Sequence, residues 1–175
     1  MQTFDNCGRQ ETRWHVLHVR PRCEKKMAAF CAAMPVEHYL PLRREAKKYQ
    51  RRTVETWKPL FPGYVFVRFR PEEKASVLRS GHAVRVLEVG NQALFIGEIE
   101  QVRQALKAEP GLSACPALAA GMTVRITSGP FQGLEGTVLS TKGPAAAKPL
   151  RVVINVSMIG QGVAIEAYGD MLERL

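Results

Sequence analysis

The densest chemistry in the chain lies in residues 43–52, where Arg43, Arg44, Glu45, Lys47, Lys48, Arg51 and Arg52 surround Tyr49 and leave Ala46 as the only other apolar residue. Such a segment cannot build a core. Its guanidinium and ammonium groups suit backbone phosphates, and its one aromatic suits a stacked base. We read it as an exposed hairpin tip leading into Thr53–Trp57. A second kind of chemistry follows in Lys58-Pro59-Leu60-Phe61-Pro62-Gly63-Tyr64-Val65-Phe66-Val67-Arg68-Phe69-Arg70. The prolines stiffen an extended lead-in, Gly63 releases it, and Tyr64–Phe69 has the aromatic and β-branched content of a strand. Alternation puts Val65, Val67 and Phe69 on one side and Tyr64, Phe66 and Arg68 on the other, so both sides are apolar. Periodicity leaves two readings: a strand buried on both faces, or one whose second face stays open for an apolar partner.

Charge supports a polyanionic partner. The net charge is +9, with 15 Lys and Arg against 6 Asp and Glu in residues 1–70 and 10 of each in residues 71–175. The whole imbalance lies in the first part, which favours nucleic acid over a surface that is merely soluble. Arg20 and Arg22, flanking Pro21, extend the basic set.

Other chemistries lack their residues. No nucleophile is paired with a base, and Gly129, Gly133 and Gly136 do not form a phosphate-binding G-x-x-x-x-G-K-[ST] loop. His15, His18, His38 and His82 are scattered. Cys7, Cys23, Cys31 and Cys115 form no C-x-x-C pair and have no histidines at zinc spacing, so they read as reduced thiols. We expect no enzyme activity, metal or cofactor. No apolar run is long enough for a membrane span, and residues 1–13 lack a signal-peptide core, so the expected location is the cytoplasm.

The positioning elements follow from periodicity. Trp14–Arg20 alternates as a first strand, Arg22–Met34 has helical spacing at Cys23, Met27, Phe30, Cys31 and Met34, and Val36–Leu40 is a short strand. Pro71 with Glu72 and Glu73 predicts a helix to about Arg79. Val84–Val89 reads as a strand, Gly90-Asn91 as a turn, Leu94–Ile96 as a short edge, and Glu98–Lys107 as a helix. Residues 1–13 are then a tail, residues 14–108 an α+β unit with an antiparallel sheet and flanking helices, and residues 109–120 a flexible linker. From Gly121, short strands at Met122–Thr127, Leu134–Ser140, Leu150–Val156, Gly162–Ala167 and around Met171 argue for a small barrel over residues 121–175. The β-branched residues there, with six glycines and three prolines between 129 and 162, disfavour a helical alternative.

Both halves carry a resemblance. Residues 14–108, with Trp14 opening the first strand and Leu60-Phe61-Pro62-Gly63-Tyr64-Val65-Phe66-Val67, resemble the amino-terminal domain of the NusG family of transcription elongation factors. Residues 121–175 resemble its SH3-like KOW barrel through Gly121-Met122-Thr123-Val124-Arg125-Ile126 and Gly129-Pro130-Phe131-Gln132-Gly133-Leu134-Glu135-Gly136-Thr137-Val138. The resemblance implies a cytoplasmic, monomeric elongation or antitermination factor. It implies that an apolar groove, here His18, Phe61, Tyr64 and Phe66, holds the clamp helices of the RNA polymerase β-prime subunit. A basic surface of Arg20, Arg22, Arg43, Arg44, Lys47, Lys48, Arg51 and Arg52 then faces DNA, and the barrel engages a further partner, the ribosome included, around Ile159. Housekeeping members of the family usually have, where Ile159 stands, a phenylalanine that engages termination factor Rho or the small ribosomal subunit. That substitution and the compact basic segment point to a specialised, RfaH-like paralogue; the alternatives are a housekeeping elongation factor and a KOW protein that binds RNA or ribosomes.

Overall fold

A computed structural model describes residues 11–50, 52–118, 121–138 and 149–175. In chain order these form β1 (Arg13–Val19), α1 (Glu24–Ala33), β2 (Glu37–Tyr39), β3 (Leu42–Tyr49), β4 (Arg52–Pro59), β5 (Tyr64–Phe69), α2 (Lys74–Leu78), β6 (Ala83–Glu88) and α3 (Gln92–Ala108). Then come β7 (Ala114–Pro116), β8 (Met122–Ile126), β9 (Glu135–Val138), β10 (Leu150–Val156), β11 (Gln161–Ala167) and β12 (Leu172–Arg174). They group into two bodies, one ending at Leu40 and resuming over Gly63–Val89, the other made of Pro41–Pro62 and Gly90–Leu175. The division expected near residue 108 follows chain order; the packing instead groups the β3–β4 hairpin and α3 with the carboxy-terminal strands.

The first body is a four-stranded antiparallel sheet in the order β2-β5-β1-β6, and its β-α-β-β-α-β connectivity is that of a split βαβ unit. Leu17, Val19, Val65, Val67 and Phe69 point to one side, where Met27 and Cys31 of α1 and Val77 of α2 close a core. Each fully buried side chain of this kind stabilises the body by about 1.5–3 kcal/mol. The thiol of Cys31 is pushed up to about 11 by that burial. Gly63 sits at φ 86°, a left-handed conformation that accounts for glycine before β5. Its N–H donates to Glu24 Oε1 at 2.8 Å and its carbonyl accepts from Val19 N–H at 2.8 Å, which aligns β5 with β1. After β5, Glu73 Oε2 accepts from Arg70 N–H at 2.7 Å and closes the turn that Pro71 begins.

The second body carries the six-stranded antiparallel sheet β12-β8-β9-β10-β11-β7, the all-β unit expected from the sequence. A Cβ at position 136 would stand 2.8 Å from Val153 O, and one at 162 would stand 2.6 Å from Ile154 O, so both positions are closed to any residue but glycine. Three expectations need correction. Leu94–Ile96 is no edge strand; it belongs to α3, whose cap residue Asn91 accepts from Leu94 N–H through Oδ1 at 3.0 Å. The linker is not a loose tether: Ala114–Pro116 pairs with Gln161–Val163, Leu112 is buried, and the Asn155 amide bonds both the N–H and the carbonyl of Leu118 at 3.0 and 2.9 Å. The basic segment is a regular ladder, with β3 paired to β4 from Leu42↔Pro59 to Tyr49↔Arg52. Residues 139–148, among them Gly143 and Pro144, fall outside the described residues, as does Cys7.

Helix α3 packs on β10 and on the 3-10 turn Ser157–Ile159. Glu98, 8% exposed, accepts from Ser157 N–H at 3.1 and 3.2 Å and from the Ser157 hydroxyl at 2.5 Å. One turn on, Gln101 Oε1 accepts from Glu135 N–H at 2.7 Å. These bonds satisfy donors of the all-β unit that its own ladder leaves over.

Candidate polymerase and nucleic-acid interfaces

The sheet of the first body holds its predicted aromatics in rows across the strands. Opposite the core, register sets Tyr64, His18 and Arg85 side by side on β5, β1 and β6, and the next row is Tyr39, Phe66, Val16 and Leu87. The His18 and Tyr64 rings lie 5.6 Å apart and tilted, and both are half-buried. Tyr39 and Phe66 lie 6.3 Å apart. Of the residues expected to line an open groove, His18 and Tyr64 are the half-buried ones. Phe66 is 1% exposed, Val16 is fully buried, and Phe61, beyond β4, is 1% exposed. Alternation assigned the right face to Tyr64 and Phe66 but carries no information on what covers it. Arg85, exposed in the row of His18, was not singled out from the sequence because one arginine in an apolar strand has no periodic signature. Arg20 and Arg22 are exposed just beyond the end of β1.

The hairpin divides its charges between two faces. Arg43, Glu45, Lys47 and Arg52 share one side with Lys58, while Arg44 and Lys48 share the other with Glu55 and Trp57. On the first side Glu45 is ringed by cations: Arg43 at 3.1 Å, Lys58 in direct contact, and Lys47 at 3.9 Å. The hydrogen bond from Lys58, with the neighbouring positive charges, holds its carboxyl below the usual carboxylate range. One carboxylate among these cations organises the side chains and leaves the face positive. On the second side Arg44 stands across from Trp57 and reaches Glu55 at 3.6 Å. Trp57 is 48% exposed. Arg51 and the side chain of Tyr49 lie outside the described residues.

Ile159, the residue expected to meet a barrel partner, is half-buried in the turn that Glu98 holds, just before Gly160 at φ 63°. Sequence reasoning missed Glu98, whose place in an apolar helix stripe gave no hint of a partner 59 residues on. Among the described residues, no group of three His, Cys, Asp or Glu side chains could hold a metal ion, and no helix is long and apolar enough to cross a membrane.

The chain is 29% identical over 156 residues to the transcription termination/antitermination protein NusG of Deinococcus radiodurans, an alignment covering 78% of this chain and 77% of that protein. The structure is similar to that described under "Domain interaction in Thermotoga maritima NusG", with a TM-score of 0.51, 21% identity, and coverage of 94% of this chain and 98% of that one. The family profile described as transcription termination factor nusG matches residues 12–105, which span the split βαβ sheet, the basic hairpin and most of α3. With that match over more than half its length, and with the expected strand-glycine-aromatic geometry at Gly63–Phe66, the chain belongs to the NusG family.

Proposed function

We propose that this protein is a cytoplasmic transcription elongation and antitermination factor. It binds the RNA polymerase β-prime clamp helices through the His18–Tyr64 end of its sheet and nearby DNA through the β3–β4 hairpin. The observation that carries the reading is the pairing of two half-buried aromatics, Tyr64 and His18, with Arg85 in one row, on a chain whose hairpin concentrates positive charge. Phe66, buried in the next row of the same sheet face, backs that site, and Phe61 is buried as well. Arg20 and Arg22, with Arg43, Arg44, Lys47, Lys48, Arg51 and Arg52, supply the basic surface. The aliphatic Ile159 and the compact hairpin favour a specialised paralogue over a housekeeping factor, with the barrel free to take a ribosomal partner.

The test is recovery of partners from the host with a tagged chain. RNA polymerase should be retained by the wild type and lost with Tyr64→Ala plus His18→Ala, a change of about 2–4 kcal/mol for two aromatic contacts near an interface centre. Retention of ribosomes without polymerase would instead select the RNA- or ribosome-binding reading. For the hairpin, Lys47→Ala with Arg52→Ala should weaken duplex DNA binding and flatten the plot of log affinity against log salt by about one unit per lost phosphate contact. An unchanged slope would remove these side chains from the interface.

A further inference from the structure

One edge of the all-β unit is only partly closed. On one side β10 pairs with β11 along its whole length, whereas on the other β7 pairs with Gln161, Gly162 and Val163 alone. Among the described residues, no strand lies against residues 164–167 on that second side. We propose that this edge, together with the Asn155 amide, is an acceptor site for an extended, uncharged peptide of a partner protein, and that residues 112–118 of the linker are its displaceable resident.

The linker is attached through its main chain. Ala117 N–H donates to Gly160 O at 3.1 Å, in the register set two residues away by Cys115↔Gly162. Antiparallel pairs alternate between bonded and non-bonded, so positions 115 and 117 hold the ladder, and Pro116 between them has no N–H to supply. The Asn155 amide extends this pattern with a side chain: Nδ2 donates to Leu118 O at 2.9 Å, and Oδ1 accepts from Leu118 N–H at 3.0 Å. Ser113 and Pro116 are exposed, and Ala114, Cys115, Ala117 and Leu118 are half-buried. Such contacts select an extended backbone with small, uncharged side chains and leave its sequence largely free. By the same alternation, Ala164 and Glu166 turn their backbone groups toward the open edge. A longer strand in this register would reach them, but the linker joins β11 only from Ala114 onward. A strand of three residues is short, and a segment that fills the whole edge can displace it.

The probe is a dye-labelled synthetic peptide of residues 110–118 carrying Cys115→Ser, with binding read by fluorescence anisotropy. Full-length protein with Cys115→Pro and Ala117→Pro loses both bonded positions of its own linker and keeps the acceptor intact. It should bind the peptide about tenfold more tightly than wild type, in which the tethered linker competes at high effective concentration. Adding Asn155→Ala to that variant should weaken peptide binding about tenfold, and a peptide cut to residues 114–118 should bind about tenfold more weakly than the longer one. A second readout does not depend on the proline variant folding. With the linker unaltered, Asn155→Ala should speed amide exchange at Ala117 and Leu118 about tenfold while residues 152–154 stay protected. The acceptor site would be overturned by no binding to a proline variant whose β10 amides remain protected, by equal binding to that variant and wild type, or by equal affinity of the two peptides. Unchanged exchange at Ala117 and Leu118 in Asn155→Ala would remove the Asn155 clamp and overturn the proposal with it.

Discussion

Phe66→Ala should destabilise the first body by about 3–5 kcal/mol, the usual cost of removing a fully buried phenylalanine, and lower its melting temperature by at least about 12 °C. Phe66 is 1% exposed, its cross-strand neighbour Val16 is fully buried, and the Tyr39 ring packs 6.3 Å away. Truncation leaves a cavity bounded by side chains that the sheet holds in register, so collapse around it is limited. Tyr64→Ala should behave in the opposite way. Its ring is half-buried at the open end of the same face, so the protein should melt within a few degrees of wild type yet lose affinity for polymerase. The pair of variants separates support from contact on a single strand, measured by thermal melting alongside polymerase recovery. A Phe66→Ala protein that melts like wild type would show that the face tolerates a void and that Phe66 contributes little to the core.

How far the sequence revealed this arrangement depends on whether the cause was local. β5 was legible because Gly63 and the run Tyr64–Phe69 carry their conformational preferences in themselves. The carboxy-terminal strands were legible for the same reason, Val152, Val153, Ile154 and Val156 being β-branched and buried in β10. β3 was not. It has no apolar alternation, and its ladder is held by pairing with β4 and by cross-strand ion pairs such as Glu45 with Lys58, which no single-strand pattern reports. The first turn of α3 was misread because Gly90-Asn91 resembles a hairpin turn, whereas Asn91 caps a helix through its bond to Leu94 N–H. β7 consists of three residues that become a strand only by finding β11 some 45 positions on. At the candidate interfaces, residue types and faces could be read in advance, but the exposure of Trp57 and the burial of Phe61 and Phe66 depend on tertiary packing.

The contact between α3 and the all-β unit sets the second large expectation. Glu98→Ala should cost about 2–3 kcal/mol in the stability of the second body. The substitution removes the acceptor of the Ser157 N–H and hydroxyl and strips apolar packing from a helix face that also buries Ile99, Val102 and Ala105. Ser157 is itself exposed, so water can take the place of the carboxylate, which keeps the loss below the full penalty for two buried donors. Glu98→Gln separates shape from charge: its amide oxygen still accepts one bond, so about 1 kcal/mol of charge-assisted strength should be lost with packing retained. Ser157→Ala in the Glu98→Ala background should add little, because the two residues act through one contact, and the double-mutant cycle should return a coupling of about 1 kcal/mol or more. Amide hydrogen exchange gives the local readout. In Glu98→Ala, protection should fall at Ser157 and at the first turns of α3 before it falls in β10 and β11, whose seven-pair ladder does not involve Glu98. Equal melting temperatures with undiminished protection at Ser157 would mean that α3 is held by its apolar stripe alone, through Phe95, Ile99, Val102 and Leu106.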